Sequence, residues 1–460
     1  MSAAGLAEAR RRMEAAGVYS RAIEVFTHYY GELESGATGT ISEDDIEPLD
    51  HIAHAATLAI SERDQRAAAD VTAIIKLNGG LGTSMGMDRA KSLLEVRPGL
   101  SFLDIIVGQV RHVRQSFDVR LPLLFMNSFR TREDTLAALA AHPDLGVGDL
   151  PLDFIQNREP KLRADTLSPI DWPADPSLQW CPPGHGDLYS ALEGSGVLDA
   201  LLTQGFHYAN VSNSDNLGAA PDPAMMAWFA ASGAPYVAEV CLRTPADVKG
   251  GHLVRRRRDG RLVLREITQT RPEDVQAATD LRIHRYFHTN NLWIDLRALN
   301  SVLEARNGVL GLPLIGNRKN VDPSDPSSPE VIQIETAMGA AVEVFDGATA
   351  IAVDRSRFLA VKTTDDLLLL RSDVYAVGDD FRVRSHVVEP PLVRLDNRFY
   401  RTIADFDARF PAVPSLAGAR SFTVRGDWKF GAGVTVTGDA VLEDTGRPAS
   451  VAPSTTLGRG

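Results

Sequence analysis

The sequence is poor in cysteine and has no long apolar segment. Its 460 residues include two cysteines, Cys181 and Cys241. Two thiols cannot build a disulfide framework or a cysteine-rich metal cluster, so we expect a protein of a reducing compartment, the cytoplasm. No apolar run reaches the length of a membrane span, and residues 1–17 lack the apolar core of a secretory signal. We therefore expect no membrane segment.

The sequence also has fewer basic than acidic residues. Lys and Arg together number 48 against 60 Asp and Glu, which gives a formal net charge of -12. We expect no nucleic-acid or membrane partner, because both would require a broad basic surface. With 44% hydrophobic and 23% charged residues, the composition is that of a globular protein with a full core. The length predicts two or three domains.

The first two predicted segments differ in their hydrophobic pattern. Residues 1–70 have apolar residues at helical spacing and an Ala-rich stretch at 52–69, which predicts an N-terminal helical segment. From 71 to 378, apolar runs alternate with helical patterns. That alternation predicts an α/β domain with a mixed, mostly parallel sheet, whose ligands bind beyond the carboxyl ends of the strands.

The third predicted segment, residues 379–460, begins with a connector and a helix. Apolar residues then alternate with polar ones, and Gly426-Asp427 recurs as Gly438-Asp439. This pattern predicts short strands separated by repeated Gly-Asp turns, as in one or two coils of a β-helix. From Arg447 onward the chain is rich in Pro, Ser, Thr and Gly, so we expect a mobile end.

Residues 71–92 carry the clearest chemical signal. The apolar, β-branched run 71–77 predicts a buried parallel strand, and Asn78-Gly79-Gly80-Leu81-Gly82 follows it directly. Glycines let a ligand approach the backbone closely, and successive N–H groups of such a loop can bind an anion. Lys91, further on, is a point charge that can reach a phosphate. The stretch therefore predicts a phosphate-binding site.

Two common glycine-rich motifs do not fit this loop. A P-loop requires a second glycine where Lys91 stands, and a dinucleotide fingerprint requires a glycine where Met85 stands. The fingerprint also needs an acidic residue after a second strand, but Asp104 belongs to a predicted helix capping box with Ser101. A turn without a ligand remains the simplest alternative to a phosphate site.

The loop LNGGLGTSMG, with a lysine five residues on, closely resembles that of the eukaryotic-type UTP–glucose-1-phosphate uridylyltransferases, or UDP-glucose pyrophosphorylases. The resemblance is collinear from about residue 70 to 440. Its further motifs are at residues 102–104, 126–129, 182–187, 211–218, 246–251, 289–293, 333–341, 355–359 and 361–364.

This resemblance implies a Rossmann-like nucleotidyltransferase domain and a short C-terminal β-helix. It implies an enzyme that makes UDP-glucose and pyrophosphate, reversibly, from UTP and glucose 1-phosphate by in-line attack on the α-phosphorus. A UDP-N-acetylhexosamine pyrophosphorylase and a catalytically silent nucleotide-sugar binding protein remain alternatives. The resemblance also implies association through the C-terminal region, which we expect to give a monomer or a small homo-oligomer.

The resemblance assigns the catalytic positive charges to Lys91 and Lys362. Lys91 matches the last lysine of the family pattern Gly-x-Lys-Gly-Pro-Lys, whereas the first lysine has become Asp88 and the proline Ala90. Arg89 is the neighbouring positive charge. We expect Lys362 just past a strand end, before a capping box that opens the next helix.

The resemblance also makes Asp215 the Mg²⁺ ligand, although an Asx turn would explain an aspartate there equally well. The implied nucleotide contacts are Leu77, Asn78, Gly79, Gly80, Lys91, Gln156, Gly184, Asp215 and Lys362. The implied sugar-phosphate contacts are His185, Asn213 and Asn290.

Overall fold

The computed structural model describes residues 2–36, 39–244, 247 and 250–458. Three residues of the motif at 246–251, namely Ala246, Val248 and Lys249, lie outside this set. Within the described part, no helix combines the length and the apolar character needed to cross a bilayer.

A seven-stranded mixed sheet forms the centre of the protein. Its strands, numbered in chain order, are β1 Thr72–Asn78, β2 Leu123–Asn127, β3 Asp153–Ile155, β4 Tyr208–Asn213, β5 Tyr236–Leu242, β6 Tyr286–Asp295 and β7 Thr349–Ala352. Their order in space is β7-β5-β6-β4-β1-β2-β3. β6 runs antiparallel to its neighbours β4 and β5, and the other pairings are parallel. This confirms the predicted mixed, mostly parallel sheet.

Helices cover both faces of this sheet, which explains why every residue of β1 is buried. The predicted capping box is present where Ser101 begins the helix Phe102–Phe117, with Asp104 at its third position. The described α-helices are Ser2–Ala15, Ser20–Glu34, Glu62–Asp70, Phe102–Phe117, Arg132–Leu139, Leu188–Gly194, Val197–Thr203, Pro223–Ser232, Val275–Thr279, Leu296–Ala305, Thr364–Arg371, Asn397–Tyr400 and Ile403–Arg409.

Two apolar cores lie on opposite faces of the sheet. On one face, Phe26 and Tyr30 of the N-terminal helices cluster with Ile75 of β1. On the other face, the cluster that contains Ile74 extends to Phe422 in the C-terminal strands. The two terminal segments therefore stabilise the central sheet from opposite sides.

Shorter strands outside the central sheet, and before the C-terminal strands described next, form small accessory sheets and hairpins. They are Ile46–Pro48, Glu95–Arg97, Leu100–Ser101, Glu159–Pro160, Leu162–Arg163, Trp180–Cys181, His252–Arg256, Leu262–Arg265, Ile315–Asn320, Glu330–Glu335, Tyr375–Val377 and Val383–Ser385.

The C-terminal strands are β8 Leu392–Leu395, β9 Ser415–Val424, β10 Trp428–Phe430, β11 Thr435–Leu442, β12 Ala449–Val451 and β13 Thr456–Leu457. They form two parallel sheets, of order β8-β9-β11-β13 and β10-β12. The prediction of a mobile end from Arg447 is wrong for β12 and β13, because their backbones pair with β10 and β11.

The Gly-Asp repeat does not mark two equivalent turns. Gly426 is at a turn between β9 and β10, but Gly438 and Asp439 lie inside β11. Gly438 pairs with Ala419 at a register shift, and its φ of 56° marks a bulge. The dipeptide recurs because both positions need a glycine in the left-handed region, not because the fold repeats there.

The N-terminal prediction is correct for Ser20–Glu34 and wrong for part of the Ala-rich stretch. Only Glu62–Asp70 forms an α-helix there, and Ser61 caps it by accepting a hydrogen bond from the Asp64 N–H. Before Ser61, one short 3₁₀ turn at Ala55–Thr57 is the only helical structure of the stretch from residue 52, all of which is described. Alanine favours helix, but alanine content alone does not supply a buried apolar stripe that packs against the core. The helical propensity of these alanines is therefore not enough to form a helix before Ser61.

Candidate functional site

The predicted site residues follow two adjacent parallel strands, β1 and β4. Asn213, at the end of β4, pairs in register with Leu77 of β1. The Ser214 N–H donates to the Leu77 carbonyl at 3.0 Å. Gly79 and Gly80 therefore leave β1 beside Asp215, which leaves β4. The site is at the carboxyl edge of the sheet, as predicted.

The side chain of Asn78 fastens three strand ends together. It is 1% exposed, and its Nδ2 donates to Asn127 Oδ1 at 2.8 Å and to Thr135 Oγ1 at 2.9 Å. Its Oδ1 accepts from the Ser214 hydroxyl at 2.9 Å. These contacts occupy the amide, so Asn78 can present only its backbone to a ligand.

Gln156 contacts both Gly79 and Gly184. A Cβ on Gly79 would lie 2.7 Å from Gln156 Oε1, so only glycine leaves room for that glutamine. The Gln156 amide in turn donates to the Gly184 carbonyl at 2.7 Å. Three of the predicted nucleotide contacts thus form one wall. Gly80 differs, because a Cβ there would meet nothing within 4 Å.

The loop that contains His185 packs against the segment after residue 335. Gly184 has a φ of 74°, and a Cβ there would lie 2.6 Å from the Thr336 carbonyl oxygen. The Met338 N–H donates to His185 Nδ1 at 3.0 Å. Burial lowers the pKa of His185 to about 4. The imidazole is therefore neutral near pH 7, and its proton is on Nε2, which can donate to a ligand.

Lys91 and Asp215 form an ion pair beside the glycine loop. Lys91 Nζ donates to Asp215 Oδ2 at 2.7 Å and also to the Val361 carbonyl. The Lys91 N–H donates to the Gly80 carbonyl at 3.1 Å, which fixes the lysine relative to the loop. Asp88 and Arg89 are both exposed on the same loop.

Asp215 keeps one oxygen available for a cation. Its Oδ1 is buried and has no hydrogen-bond partner among the described residues. In the described part of the chain, no group of three or more His, Cys, Asp or Glu side chains could hold a metal alone. A single free carboxylate oxygen fits Mg²⁺, which commonly binds one or two carboxylates together with phosphate oxygens and water.

Lys362 reaches the site by a different route from the one predicted. It follows β7 only after the segment 353–361, which crosses the carboxyl edge of the sheet. The Val361 N–H donates to the Asp215 carbonyl at 3.2 Å, and Ala360 forms a bridge with Asn216. The prediction of a strand directly before Lys362 is therefore wrong, because this segment pairs with a loop.

Lys362 itself is exposed, and its Nζ lies 5.7 Å from the centre of the Phe358 ring. The predicted capping box is present, since the Thr363 N–H donates to Asp366 Oδ2 at 2.9 Å. The Val361 carbonyl accepts a hydrogen bond from Lys91, and the next residue in the chain is Lys362. Both predicted catalytic lysines are therefore attached to the same short segment of backbone.

Asn290 lies on a bulge of β6. The register of β6 with β5 shifts between Ala238 and Val240, and Asn290 has a φ of 59°. Such a backbone is unusual for a residue other than glycine and is common at functional sites. Asn290 Oδ1 lies 3.0 Å from Nδ1 of His288, a buried histidine whose pKa burial lowers to about 4.

Glu266 is a candidate site residue that the sequence did not reveal. Its carboxylate lies against Gly251, where a Cβ would be 2.5 Å from Oε2. Burial raises the pKa of Glu266, and the positive charge of Lys362 partly offsets that rise. Glu266 is therefore close enough to Lys362 for the two charges to interact. Its spacing to Gln269, whose side chain accepts from the Glu266 N–H at 3.0 Å, is that of a turn cap and gives no sign of a role in binding.

Comparisons with known proteins place the chain in one family. A sequence model described as UTP--glucose-1-phosphate uridylyltransferase matches residues 23–437. The chain is 39% identical over 374 residues to the probable UTP--glucose-1-phosphate uridylyltransferase of Schizosaccharomyces pombe, covering 80% of this chain and 72% of that protein. It is 39% identical over 381 residues to the UTP--glucose-1-phosphate uridylyltransferase of Hordeum vulgare, covering 82% and 78%.

Solved structures give the same result. A mutant UDP-glucose pyrophosphorylase from Leishmania major, in complex with UDP-glucose, superposes with a TM-score of 0.92 at 39% identity, covering 99% of this chain and 98% of that one. The UDP-glucose phosphorylase from Trypanosoma brucei superposes with a TM-score of 0.91 at 38% identity, covering 99% and 98%.

Proposed function

Because the chain belongs to the UTP–glucose-1-phosphate uridylyltransferase family, we propose that it transfers a uridylyl group from UTP to glucose 1-phosphate. The products are UDP-glucose and pyrophosphate, and the reaction is reversible. The observation that carries this proposal is the Lys91–Asp215 pair at the carboxyl edge of the sheet, beside a glycine loop open to a ligand.

The reaction needs positive charge more than it needs a base. The nucleophile is an oxygen of glucose 1-phosphate, a monoester whose second pKa is about 6, so it is mostly dianionic at neutral pH. It attacks the α-phosphorus in line, a new P–O bond forms, and the bond to pyrophosphate breaks. The protein must hold two polyanions together and stabilise the charge that develops on the leaving group.

Lys91 and Lys362 are the residues that supply this charge. The charge of Lys91 is balanced by Asp215. We propose that Lys91 turns from this carboxylate towards a phosphate oxygen when UTP binds. Lys362 is exposed near the same edge. Among the described residues it has no ion-pair partner, so it can approach the α-phosphate without first leaving a carboxylate, unlike Lys91.

Asp215 is the residue that would hold Mg²⁺, through the Oδ1 atom that lacks a partner. When bound, the ion supplies charge neutralisation between adjacent phosphates. Asp215 also holds Lys91 in place through its other oxygen, Oδ2. The Asp215 carboxylate would thus bind Mg²⁺ through one oxygen and Lys91 through the other.

The nucleotide is proposed to lie against the wall formed by Gly79, Gln156 and Gly184, with Leu77 and Asn78 contributing backbone groups. Gly80 is the point of closest approach, because it is exposed and borders empty space.

The sugar phosphate is proposed to lie beside Asn213 and Asn290. His185 is well suited to donate from Nε2, because its Nδ1 already accepts from Met338. Glu266 adds a carboxylate that can accept from sugar hydroxyl groups.

One assay tests the function and its alternatives. Pyrophosphate release from UTP is measured against glucose, galactose and N-acetylhexosamine 1-phosphates, with and without Mg²⁺. We expect the highest kcat/KM with glucose 1-phosphate, only in the presence of Mg²⁺. A preference for N-acetylhexosamine 1-phosphate would support the hexosamine enzyme instead, and UDP-glucose binding without turnover would support a binding protein.

We further propose that the C-terminal strands form a short β-helix. The parallel pairings β9-β11-β13 in one sheet and β10-β12 in a second sheet support this. β8 and β13 are edge strands of the larger sheet, so another subunit could pair with them. We expect a monomer or a small homo-oligomer by light scattering, and a stable octamer would contradict this.

A further inference from the structure

The buried side chain of Asn216 makes four hydrogen bonds, which is its full capacity. It is 1% exposed. Its Nδ2 donates to Asn291 Oδ1 and to the Arg357 carbonyl, each at 3.1 Å. Its Oδ1 accepts from the Leu359 N–H at 2.8 Å and from the Gly218 N–H at 3.2 Å. A buried amide with every donor and acceptor used is fixed in one orientation.

These bonds join three segments that each contribute a site residue. Asn216 directly follows Asp215 in the loop after β4. Asn291 directly follows Asn290 on the bulge of β6. Leu359 lies in the segment that ends at Lys362, and Ala360 in the same segment bridges to Asn216. The segments that carry Asp215, Asn290 and Lys362 are therefore connected through the side chain of Asn216.

Two of these partners, Asn291 and Arg357, are held in place by Glu239, which is fully buried in β5. Arg357 donates to both oxygens of Glu239, from Nε at 2.8 Å and from Nη2 at 2.7 Å. Asn291 Nδ2 donates to Glu239 Oε2 at 3.0 Å, and Trp293 Nε1 donates to Oε1 at 2.8 Å. Asn216 thus links the loop backbone at Gly218 and Leu359 to a buried core rather than to solvent.

We propose that Asn216 is a positioning residue for uridylyl transfer. It sets the distance between Asp215 and Lys362, and it holds the bulge that presents Asn290. This inference rests on the proposed function. Loss of Asn216 should affect turnover more than UTP binding, because UTP contacts the glycine wall whereas the charged groups must be placed for the transition state.

Steady-state kinetics of Asn216→Ala test this proposal. We expect kcat to fall by about 10- to 100-fold, since small misplacements of reacting groups can cost about 100-fold. We expect the KM for UTP to stay within about threefold of wild type, and half-activation to need more Mg²⁺. A kcat within about threefold of wild type overturns the proposal.

Asn210→Ala is the matched control. Asn210 is also a fully buried asparagine of β4, and its Nδ2 donates to the Leu292 carbonyl of β6 at 3.0 Å. It touches neither the segment 353–361 nor the loop after β4. We expect it to lower the melting temperature, by less than Asn216→Ala because its side chain makes one described hydrogen bond instead of four, while kcat is retained. An equal loss of kcat in both variants would mean that the effect is structural, and would overturn the proposal.

Hydrogen exchange gives a readout that does not depend on activity. In Asn216→Ala, the amide of Leu359 should exchange at least about fivefold faster, because its acceptor Asn216 Oδ1 is gone. The amide of Val361 keeps its acceptor, the Asp215 carbonyl, and should exchange faster because the segment that contains Leu359 opens more often. Asn210→Ala should leave them unchanged. Asn216→Ser, which keeps a small polar group, is measured in the same way if the alanine variant does not fold.

The two readouts separate the two hypotheses. A wild-type chain that releases no pyrophosphate from UTP overturns the proposed function and the catalytic part of this inference. Unchanged exchange at Leu359 and Val361 overturns the positioning role of Asn216, whatever the activity of the wild type.

Discussion

Lys91 and Asp215 are 124 residues apart in the sequence, and their side chains are joined by a 2.7 Å hydrogen bond at the edge of the central sheet. The pair holds a cation and a carboxylate next to each other before any substrate is present. Both side chains are mostly buried, at 14% and 21% exposed, so the attraction between the charges is largely offset by the cost of removing them from water. Its value to the protein is therefore positional.

The first prediction concerns Asp215→Asn. The amide keeps the shape of the side chain but removes the charge that would bind Mg²⁺, so most of the activity should be lost with little change in melting temperature. Pyrophosphate release across a range of Mg²⁺ concentrations and thermal unfolding measure the two effects. Asp346→Asn, at a carboxylate that is 99% exposed, is the control and should behave as wild type. Near-normal turnover of Asp215→Asn in Mg²⁺ would exclude this residue as the principal metal ligand.

The second prediction concerns Lys362. Lys362→Ala should lose on the order of 10²–10³ in kcat, as is typical when one preorganised charge donor is removed. UTP affinity should weaken less, and Lys362→Arg should restore activity only in part, because a planar guanidinium does not replace a compact ammonium. Lys429→Ala, at an exposed lysine of β10, is the matched control. If Lys362→Ala instead raised the KM for UTP with kcat intact, Lys362 would be a binding residue.

The third prediction separates two neighbouring glycines. Gly80→Ala should fold normally, because its Cβ meets nothing within 4 Å, but should weaken UTP binding about tenfold or more if the nucleotide lies against it. Gly79→Ala should lower stability by about 1–3 kcal/mol, because its Cβ would collide with Gln156. Calorimetric titration with UTP and thermal unfolding measure these effects. Gly146→Ala, also in open space, should change neither, and normal UTP binding by Gly80→Ala would contradict the proposed approach.

The fourth prediction concerns pH and His288. Burial lowers its pKa from 6.5 to about 4, so the unfolded chain binds more protons than the folded protein between these values. The stability from this group is complete above about pH 6.5 and is lost as the pH falls towards 4. His288→Gln should therefore reduce the difference in unfolding free energy between pH 4 and pH 7, by up to about 3 kcal/mol. Urea denaturation at each pH measures the unfolding free energy. His112→Gln, at an exposed histidine, is the control. An unchanged pH dependence of stability in His288→Gln would contradict the lowered pKa of His288.

Sequence patterns predicted the parts of the fold that are governed by local chemistry. The run 71–77 is mostly apolar and rich in β-branched residues, and it forms strand β1 of the central sheet within one residue. Ser101 and Thr363 were recognised as helix caps because their partners are three residues away, and both capping boxes are present. Such signals need no knowledge of the tertiary structure.

The remainder depended on contacts between distant residues. Nothing near Lys362 in the sequence shows that its approach segment pairs with Asn216 rather than with a strand. The carboxylate of Glu266 has room only because residue 251 is a glycine, where a Cβ would lie 2.5 Å from Oε2. The pairing of β12 with β10 could not be predicted either, because the residues after Arg447 have the composition of a loop and gain order only from neighbouring strands.

The hydrogen bond from Lys91 to the carbonyl of Val361 spans 270 residues. A growing polypeptide therefore carries its glycine loop long before the ribosome has made the residues that close the site around it. Chains that stop before Val361 contain the first lysine and Asp215 but lack the second lysine. A chain interrupted between Asp215 and Lys362 should thus be unable to transfer a uridylyl group, and catalysis requires about the first four fifths of the 460 residues.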